Sequence, residues 1–332
     1  MSARRSGYGR GVRGPRRRGV GCLTILAALA VFVVVVISLW YMLAGCSHVP
    51  VPRPPGTAKK PTSQSASCPD VQLLAIPGTW ESNSNDDPHN PTANPASLML
   101  NVTKPVRQQF SNSRLDVYTV PYVAQFSNPI AIPPDGQASY NVSRSEGASR
   151  AIAELTTMYK NCPLTTYVIA GFSQGAVIAG DIATDIGAAK GPVPADQVLG
   201  VMLIADGRRE PGPGQAIEVG PTPPGEGAEV TLRGLSVPGI TMTGPRSGFG
   251  ALAGRTYTIC AKGDLICDAP TQALTPVNMF PSLLTLVHAA GNPVHSLYNS
   301  FVVDADNRST ATEWTTGWVE GLVNGAPHPR HS

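Results

Sequence analysis

Charged residues are scarce in this chain and unevenly placed. Only 14% of the 332 residues are Asp, Glu, Lys or Arg, and no acidic residue precedes Asp70. Seven arginines fall within the first 18 positions, so the formal net charge of +3 conceals a remainder that sums to −4. A mildly acidic folded part offers no basic face to phosphate groups, and we predict that it has no nucleic-acid partner.

Metal-binding motifs are also missing from the sequence. The chain has six cysteines and six histidines but no His-Glu-x-x-His motif. No His or Cys lies at zinc-ligand spacing around the closest cysteine pair, Cys260 and Cys267. We therefore predict a protein that works without a metal and without a cofactor.

A long apolar run follows the arginine cluster. Residues 20–45 contain no charged residue, and about 20 apolar residues are enough to span a bilayer. A buried core helix of this length would carry a polar stripe, whereas only Thr24 and Ser38 interrupt the run. Arginines before the run and none directly after it predict a single-pass membrane anchor over 20–45, with residues 1–19 in the cytoplasm.

The end of this run permits a second interpretation. Leu43-Ala44-Gly45-Cys46 resembles a bacterial lipobox, in which cleavage before Cys46 would leave a lipidated cysteine and no span. We favour the uncleaved anchor because the apolar run exceeds the 7–15 residues of a usual signal-peptide core. Both interpretations predict that the rest of the chain is held at the cell membrane on its extracytoplasmic side.

The remaining chain divides into a linker, a folded domain and a tail. Residues 46–67 are rich in Pro, Ser and Lys without apolar periodicity, which predicts an extended linker. From 68 to 326, short apolar runs alternate with helical patterns, which predicts an α/β domain with a mostly parallel sheet covered on both faces. Residues 327–332 form a tail that we expect to fray. The predicted strands and helices include Val71–Ile76, Leu115–Val120, Tyr167–Ala170, Ala176–Ile186, Val198–Ile204, Thr256–Cys260 and Ser282–Ala290.

Four cysteines fall within the predicted domain, and one segment there departs from the alternation. An even number of cysteines outside the reducing cytosol suits two disulfides, with three pairings open. Residues 211–250 lie in a Gly- and Pro-rich stretch that is longer than an ordinary connection. Long loops in compact domains often line or cover binding sites. We expect this segment to shape or cover a substrate pocket, with a passive surface excursion as the alternative.

A five-residue motif, G-F-S-Q-G at positions 171–175, marks the candidate nucleophile. It follows the predicted strand Tyr167–Ala170 directly and precedes a helix-forming run. Strand, sharp turn and helix are the context of a nucleophile elbow, in which small residues flank the turn because the helix packs closely on the strand. The turn exposes Ser173 at the carboxyl edge of the sheet, beside the N–H groups of the new helix. Ser173 is the predicted nucleophile.

A catalytic serine needs a histidine base, which in this architecture follows both the nucleophile and the acid along the chain. This order excludes the two histidines that precede Ser173, and two more lie in the predicted tail. Of the remaining two, His288 falls in an apolar helical run and suits a structural role. His295 follows Gly-Asn-Pro in a loop, and we predict that it is the general base.

Two aspartates compete to orient that base. Asp264 lies just past a predicted strand, in what would be a small closed loop if cysteines 260 and 267 pair, and such a loop would fix a carboxylate. Asp206 also ends a strand, but Arg208 and Arg209 beside it favour a structural ion pair. We predict that Asp264 is the acid.

Four motifs in order resemble the cutinase family of serine esterases. They are Asn-Cys-Pro at 161–163 before a strand, G-F-S-Q-G, the pattern C-x-x-G-D-x-[IV]-C at 260–267, and the loop histidine after it. The resemblance covers nearly all of residues 68–324. It implies an α/β-hydrolase fold, a three-layer sandwich around a mostly parallel sheet. It also implies that Ser173 is the nucleophile, His295 the general base and Asp264 its partner. The implied disulfides are Cys68–Cys162 and Cys260–Cys267.

Another part of the resemblance lies after the first strand, where Ile76 to Ser82 read I-P-G-T-W-E-S. The family pattern implies an oxyanion hole formed by the backbone N–H groups of Thr79 and Gln174. Fungal cutinases carry serine at the position of Thr79 and lack the large Trp80. A plain turn with Trp80 in the core is the alternative interpretation of this segment.

The arginine-rich anchor narrows the resemblance to membrane-held members of the family, for which phospholipase A and thioesterase activities are implied. Because the chain is tethered to its own membrane, we expect its substrate to be a lipid ester or thioester of the cell envelope. Three alternatives stay open. They are an acyltransferase that uses the same triad, a catalytically silent envelope-binding protein, and a serine peptidase, for which no charged specificity pocket is indicated.

Overall fold

The structure is a computed structural model that describes residues 61–128, 131–270 and 293–332. The predicted cytoplasmic segment, the predicted membrane anchor 20–45 and most of the predicted linker lie outside the described residues. The predicted helix Ser282–Ala290, with His288, lies outside them as well. Within the described ranges, no helix is long and apolar enough to cross a membrane.

A six-stranded sheet forms the centre of the domain. Its strands are β1 (Val71–Ile76), β2 (Leu115–Thr119), β3 (Thr166–Phe172), β4 (Val198–Ile204), β5 (Ile217–Glu218) and β8 (Thr256–Ile259). The order is β2-β1-β3-β4-β8-β5, and every neighbouring pair is parallel. Because β1 and β3 are buried at every position, they appear in the sequence as continuous apolar runs. The predicted parallel α/β sheet is confirmed.

The remaining elements are helices and short strands. The helices are α1 (Leu100–Gln109), α2 (Tyr140–Asn161), α3 (Gln174–Gly187), α4 (Ala228–Thr231), α5 (Pro293–Ser296) and α6 (Ala311–Gly325), with 3₁₀ turns at Ala195–Gln197 and Gly250–Arg255. The short strands are β6 (Ser236–Val237), β7 (Ile240–Thr241), β9 (Val302–Asp304) and β10 (Ser309–Thr310). Helix α6 begins with a capping box, in which Thr310 and Glu313 satisfy each other's backbone N–H groups.

Alternate residues of the central strands pack into two separate cores. Leu73 lies in the core shared with α1 and α6, whereas its neighbour Leu74 lies in the core shared with α2 and α3. Val168 and Ile169 of β3 divide in the same way, as the period of two along a strand requires. The domain is therefore a sandwich of helices, sheet and helices.

The parallel strands end along one edge of the sheet. Ile76 pairs with Gly171, Phe172 with Ile204, and Ile204 with Ile259, so the segments that follow β1, β3, β4 and β8 emerge side by side. In open α/β sheets, ligands bind outside this carboxyl edge. The topology thus gathers the predicted site residues from distant parts of the chain.

The segment 211–250, here called the insertion, contains structure that the sequence analysis did not predict. It holds β5, α4, β6 and β7. Side chains from α4 to β7, among them Leu232 and Ile240, form a small core of their own with Tyr140 of α2. Elements of two to four residues are too short to show a periodic pattern, which explains why they were missed.

The tail 327–332 is not frayed, contrary to the expectation from sequence. Gln64 N–H donates to Arg330 O at 2.9 Å, and Ser332 N–H donates to Gln64 O at 2.9 Å. The imidazole of His331, in the same tail, adds a contact with a carboxylate, because His331 Nε2 lies 2.8 Å from Asp70 Oδ1. These contacts join two segments that are remote in sequence, so local composition did not predict them.

Among the described residues, two disulfides join Cys68 to Cys162 and Cys260 to Cys267. The first ties the residues before β1 to those before β3. The second closes the short loop that follows β8 and contains Asp264.

Candidate active site

Ser173 sits on a sharp turn between β3 and α3. Its backbone has φ +55° and ψ −121°, a left-handed conformation that is rare outside glycine. A Cβ at Gly171 would lie 2.2 Å from Gly175 O, and a Cβ at Gly175 would lie 2.1 Å from Ile76 O. Only glycine fits at either position, so the spacing of the motif follows directly from the close contact of helix and strand.

His295, on α5, bridges the serine and an aspartate. Its Nδ1 lies 3.0 and 2.9 Å from the two carboxylate oxygens of Asp264, and its Nε2 lies 2.9 Å from Ser173 Oγ. A carboxylate only accepts hydrogen bonds, so Nδ1 carries the proton and Nε2 accepts from the serine hydroxyl. The structure thus brings Ser173, His295 and Asp264 together in the arrangement that nucleophilic catalysis requires.

Asp264 is fully buried and held from several directions. Ile266 N–H donates to its Oδ1 at 3.0 Å, and the Tyr298 hydroxyl donates to its Oδ2 at 2.7 Å. Burial, followed by the charge of Asp264, raises the pKa of Tyr298 well above its usual value, so this hydroxyl stays a donor. Sequence reasoning missed Tyr298, although its position three residues after His295 was a signal available in the chain.

The competing acid, Asp206, has a different set of contacts. Its carboxylate receives Arg246 Nη1 at 2.5 Å and Arg246 Nη2 at 3.1 Å. The sequence analysis assigned Arg208 and Arg209 as its ion partners, but Arg208 pairs with Asp181 and Arg209 with Glu218. That assignment of partners was wrong, because the true partner lies in the insertion.

Thr79 and Gln174 line the same cavity as Ser173 and His295. Neither backbone N–H donates to an acceptor within the described ranges. Gln174 is the first residue of α3, where N–H groups have no intrahelical partner and the helix dipole favours negative charge. The two free donors suit an oxyanion. Trp80 is 47% exposed and therefore does not belong to the core.

A cavity of about 320 Å³ opens at Ser173. The insertion contributes Ala228, Glu229 and Met242 to its wall, so this segment shapes the pocket. The larger apolar side chains of the lining are Trp80, Leu98, Phe126, Tyr140, Phe172, Val177, Met242 and Ile266, and the uncharged polar ones besides Ser173 are Thr79, Asn94, Asn101, Gln174, Ser296 and Asn299.

No lysine or arginine contributes to the described lining of this cavity. The segments 129–130 and 271–292 contain no lysine, arginine, aspartate or glutamate in their sequence. Among the described residues, no group of three or more His, Cys, Asp or Glu side chains could hold a metal ion.

The parallel sheet, the nucleophile elbow and the hydrogen-bonded Ser–His–Asp set define an α/β hydrolase with a serine-esterase site. The family model described as Cutinase matches residues 87–282, more than half of the chain, and the chain belongs to the cutinase family. The chain is 46% identical over 280 residues to a protein named carboxylesterase Culp6 homolog from Corynebacterium glutamicum, and the match covers 82% of this chain and 87% of that protein. The chain is a carboxylic ester hydrolase.

Solved structures give a weaker likeness. An acetylxylan esterase is 17% identical with a TM-score of 0.49, covering 77% of this chain and 100% of that one. A cutinase-like protein from Cryptococcus sp. is 16% identical with a TM-score of 0.44, covering 80% of this chain and 100% of that one.

Proposed function

We propose that this carboxylesterase acts on lipid esters of the cell envelope through a Ser173–His295–Asp264 triad and an acyl-enzyme. The observation that carries the proposal is the unbroken set of hydrogen bonds from Ser173 Oγ through His295 to Asp264, with Ser173 and His295 lining a largely apolar cavity. A membrane anchor over 20–45 would hold this domain on the extracytoplasmic side, where envelope lipids are the available esters.

In the proposed reaction, Ser173 Oγ attacks the ester carbonyl carbon while His295 Nε2 takes the hydroxyl proton. Asp264 keeps Nδ1 protonated and stabilises the imidazolium. The N–H groups of Thr79 and Gln174 stabilise the negative oxygen of the tetrahedral intermediate. When this intermediate collapses, the alcohol leaves with the proton from His295. Water then attacks the acyl-enzyme by the same steps and releases the carboxylic acid.

The cavity also indicates a preference among lipid substrates. Its volume of about 320 Å³ falls at the small end of the range for small-molecule pockets, which suits a short or medium acyl chain. Because no lysine or arginine lines the described wall, a phosphate group would find no cationic partner there. We infer that uncharged esters react faster than phospholipids or acyl-CoA thioesters, the other two candidate substrates.

The test is an assay of the full-length chain on nitrophenyl esters of increasing acyl length, a phospholipid and an acyl-CoA. Ser173→Ala is the control, and we expect its activity to fall by about 10⁴-fold or more. A fluorophosphonate should label Ser173 in the parent protein and nothing in the variant. Retained hydrolysis in Ser173→Ala would contradict the assigned nucleophile, and faster turnover of acyl-CoA than of neutral esters would contradict the substrate preference.

An acyltransferase is the second candidate. The carboxamides of Asn101 and Asn299 line the cavity and form no hydrogen bond within the described residues, so they could bind an alcohol that accepts the acyl group. Product analysis with an added alcohol distinguishes the two outcomes, since a transferase would form a new ester where a hydrolase releases acid. A silent envelope-binding protein would give neither product and no labelling of Ser173.

A further inference from the structure

One carboxylate, that of Glu81, joins the segment after β1 to the segment before α1. Glu81 Oε2 accepts from Gly78 N–H and from Ser97 Oγ, both at 3.0 Å, and Oε1 accepts from Leu98 N–H at 2.6 Å. Glu81 N–H in turn donates to Gly78 O at 3.1 Å, which closes a turn over residues 78–81. The carboxylate therefore holds the start of this turn against a part of the chain 17 residues further on.

The environment of Glu81 is unusual for an anion. Its three hydrogen-bond partners are neutral donors, and no lysine or arginine pairs with it within the described part of the chain. Burial raises the pKa of Glu81, while its hydrogen bonds and the nearby His295 oppose that rise. Burying a carboxylate without a cation costs free energy, and groups perturbed in this way concentrate at functional sites.

The turn held by Glu81 is in direct contact with the nucleophile elbow. A Cβ at Gly78 would lie 2.7 Å from Cδ1 of Phe172, the residue before Ser173. A Cβ at Gly175 would lie 2.4 Å from Pro77 O. With contacts this close, a small displacement of the turn changes the distance between its backbone and Ser173. Oxyanion donors act only within about 2.7–3.1 Å of the developing charge.

The residue between Thr79 and Glu81 shows that the turn needs support. Trp80 has φ +63°, a left-handed conformation that is unfavourable for a bulky residue and persists only where the surroundings enforce it. Its backbone is held on both sides, by Ala124 O, which accepts its N–H at 2.5 Å, and by Asn94 Nδ2, which donates to its carbonyl at 3.0 Å. Glu81 supplies the remaining support, at the first residue of the turn.

We propose that Glu81 is a positioning residue for the oxyanion hole: its carboxylate fixes the 78–81 turn, so that the Thr79 N–H is already in place when the carbonyl oxygen becomes negative. The inference rests on the proposed function. Glu81 also lines the cavity, but both of its carboxylate oxygens accept hydrogen bonds from the protein, so the role assigned to it is support of the turn. Its effect falls on the transition state, because the oxyanion exists only there and in the intermediates.

The test is Glu81→Gln in the full-length chain, with kcat and KM measured on a nitrophenyl ester. The carboxamide keeps the size of the side chain and one acceptor oxygen, but its –NH₂ cannot accept the Gly78 N–H. We expect kcat to fall by about 10- to 100-fold with KM changed less than about twofold. Phosphonylation of Ser173 by a fluorophosphonate, whose phosphoryl oxygen occupies the same hole, should slow by a similar factor.

Glu154→Gln is the matched control. Glu154 on α2 is also a partly buried carboxylate whose burial raises its pKa, and it accepts from Gln72 Nε2 at 2.6 Å. Gln72 is the second residue of β1, so this contact lies at the opposite edge of the sheet from Ser173. Glu154→Gln should therefore keep kcat within about twofold of the parent protein.

Each result decides the proposal. A kcat for Glu81→Gln within twofold of the parent, or a rise in KM at unchanged kcat, overturns it. If Glu81→Gln fails to fold, Glu81→Asp is the deciding variant. Its shorter side chain keeps the charge but cannot reach both Gly78 and Leu98. A fall in kcat then supports the positioning role, and an unchanged kcat overturns it. A parent protein that neither hydrolyses esters nor reacts at Ser173 would instead contradict the proposed function.

Discussion

At the scale of single residues, the Asp264 carboxylate is the most completely fixed group of the site. Oδ1 receives His295 Nδ1 and Ile266 N–H, and Oδ2 receives His295 Nδ1 and the Tyr298 hydroxyl. The same hydroxyl accepts the Ala261 N–H at 3.0 Å. Tyr298 therefore connects the carboxylate to the backbone of the disulfide-closed loop, and the orientation of the imidazole depends on it.

Tyr298→Phe tests this dependence. The variant keeps the aromatic ring but removes the donor to Asp264 and leaves the buried Ala261 N–H without an acceptor. Hydrogen bonds to charged groups contribute about 1.5–3 kcal/mol, and about 1.4 kcal/mol corresponds to a factor of ten in rate. We expect kcat to fall about tenfold, with KM nearly unchanged, in steady-state assays on a nitrophenyl ester.

Tyr257→Phe serves as the control for that substitution. Tyr257 packs on Trp314 and Trp318, and its hydroxyl forms no hydrogen bond within the described chain. Removal of the Tyr257 hydroxyl should leave kcat within about twofold of the parent protein. Equal rates for Tyr298→Phe and the parent protein would show that Asp264 is oriented without the tyrosine.

Residue assignments from sequence succeeded where the signal was local. Ser173 is marked by two glycines that the turn itself requires. Asp206 is not the triad acid in the structure because it pairs with Arg246, which lies 40 residues further along the chain. No local sequence pattern indicates a pairing over that separation. Glu81 lies in the I-P-G-T-W-E-S segment, but nothing in that segment indicates its partners Ser97 and Leu98, which approach it only when the chain is folded.

At the scale of elements, an ion-pair network fastens the insertion to α3. Asp181 on α3 accepts from Arg246 Nε at 2.8 Å, from Arg208 Nη1 at 2.7 Å and from Arg144. Arg144 also pairs with Glu229 of the insertion at 3.0 Å. Arg246 and Glu229 thus anchor the insertion at two points beside the cavity, and the pocket wall that it forms is fixed by charge as well as by its small apolar core.

The pKa of Asp181 gives this network a pH dependence. Burial alone would raise that pKa, but Arg246, Arg144 and Arg208 lower it to about 2. A lowered folded-state pKa adds stability above the ordinary value near 3.8, and that stability is lost as the pH falls through about 2. We expect Asp181→Asn to lower the free energy of unfolding by about 3 kcal/mol at pH 7, measured by urea denaturation, and the deficit should shrink between pH 4 and 2.

Asp185→Asn, one turn along the same helix, is the matched control. Asp185 has no arginine partner in the described residues, and burial raises its pKa instead of lowering it. Its substitution should change the free energy of unfolding by less than about 0.5 kcal/mol. A deficit for Asp181→Asn that persists unchanged at pH 2 would show that the network does not depend on this carboxylate's charge.

Elements with a clear apolar pattern were predictable, whereas very short elements and a helix that contains proline were not. The buried strands β1, β3 and β4 are mostly apolar, and α3 is apolar around most of its circumference, so their patterns are visible in sequence. Helix α1 was missed because Pro105 lies inside it and reads as a helix breaker. The insertion combines very short elements with many glycines and prolines, and tertiary contacts, not propensity, determine its structure.

At the scale of the whole molecule, the two ends of the described domain meet at the amino edge of the sheet, whereas Ser173 lies at the carboxyl edge. Arg114 reinforces this junction, because it donates to Asp70 Oδ2 at 2.8 Å and to Ala326 O at 2.9 Å at the end of α6. The junction therefore combines backbone pairing, ion pairs and a helix cap, and it lies away from the catalytic cavity.

His331 makes this junction sensitive to pH. Its hydrogen bond to Asp70, with a second to Ser65 O, raises the pKa of His331. A raised folded-state pKa adds stability that is complete below the ordinary value near 6.5 and is lost as the pH rises through the folded value. We expect His331→Ala to lower the Tm by about 1–3 °C at pH 6 and by less at pH 9, with esterase activity unchanged. A larger loss at pH 9 than at pH 6 would contradict this assignment.

The pairing of the residues just before β1 with the residues after α6 makes the folded domain a nearly closed loop of polypeptide. Gln64 bonds to Arg330 and Ser332, so a short peptide could join the ends without disturbing the fold, and the chain could then be opened elsewhere. The glycine-rich stretch 211–214 at the start of the insertion is exposed and offers such an opening. In a circular permutant opened there, the insertion would become the new amino-terminal segment. The residues before and after the cut would still belong to one chain, because the new peptide joins the original ends of the domain.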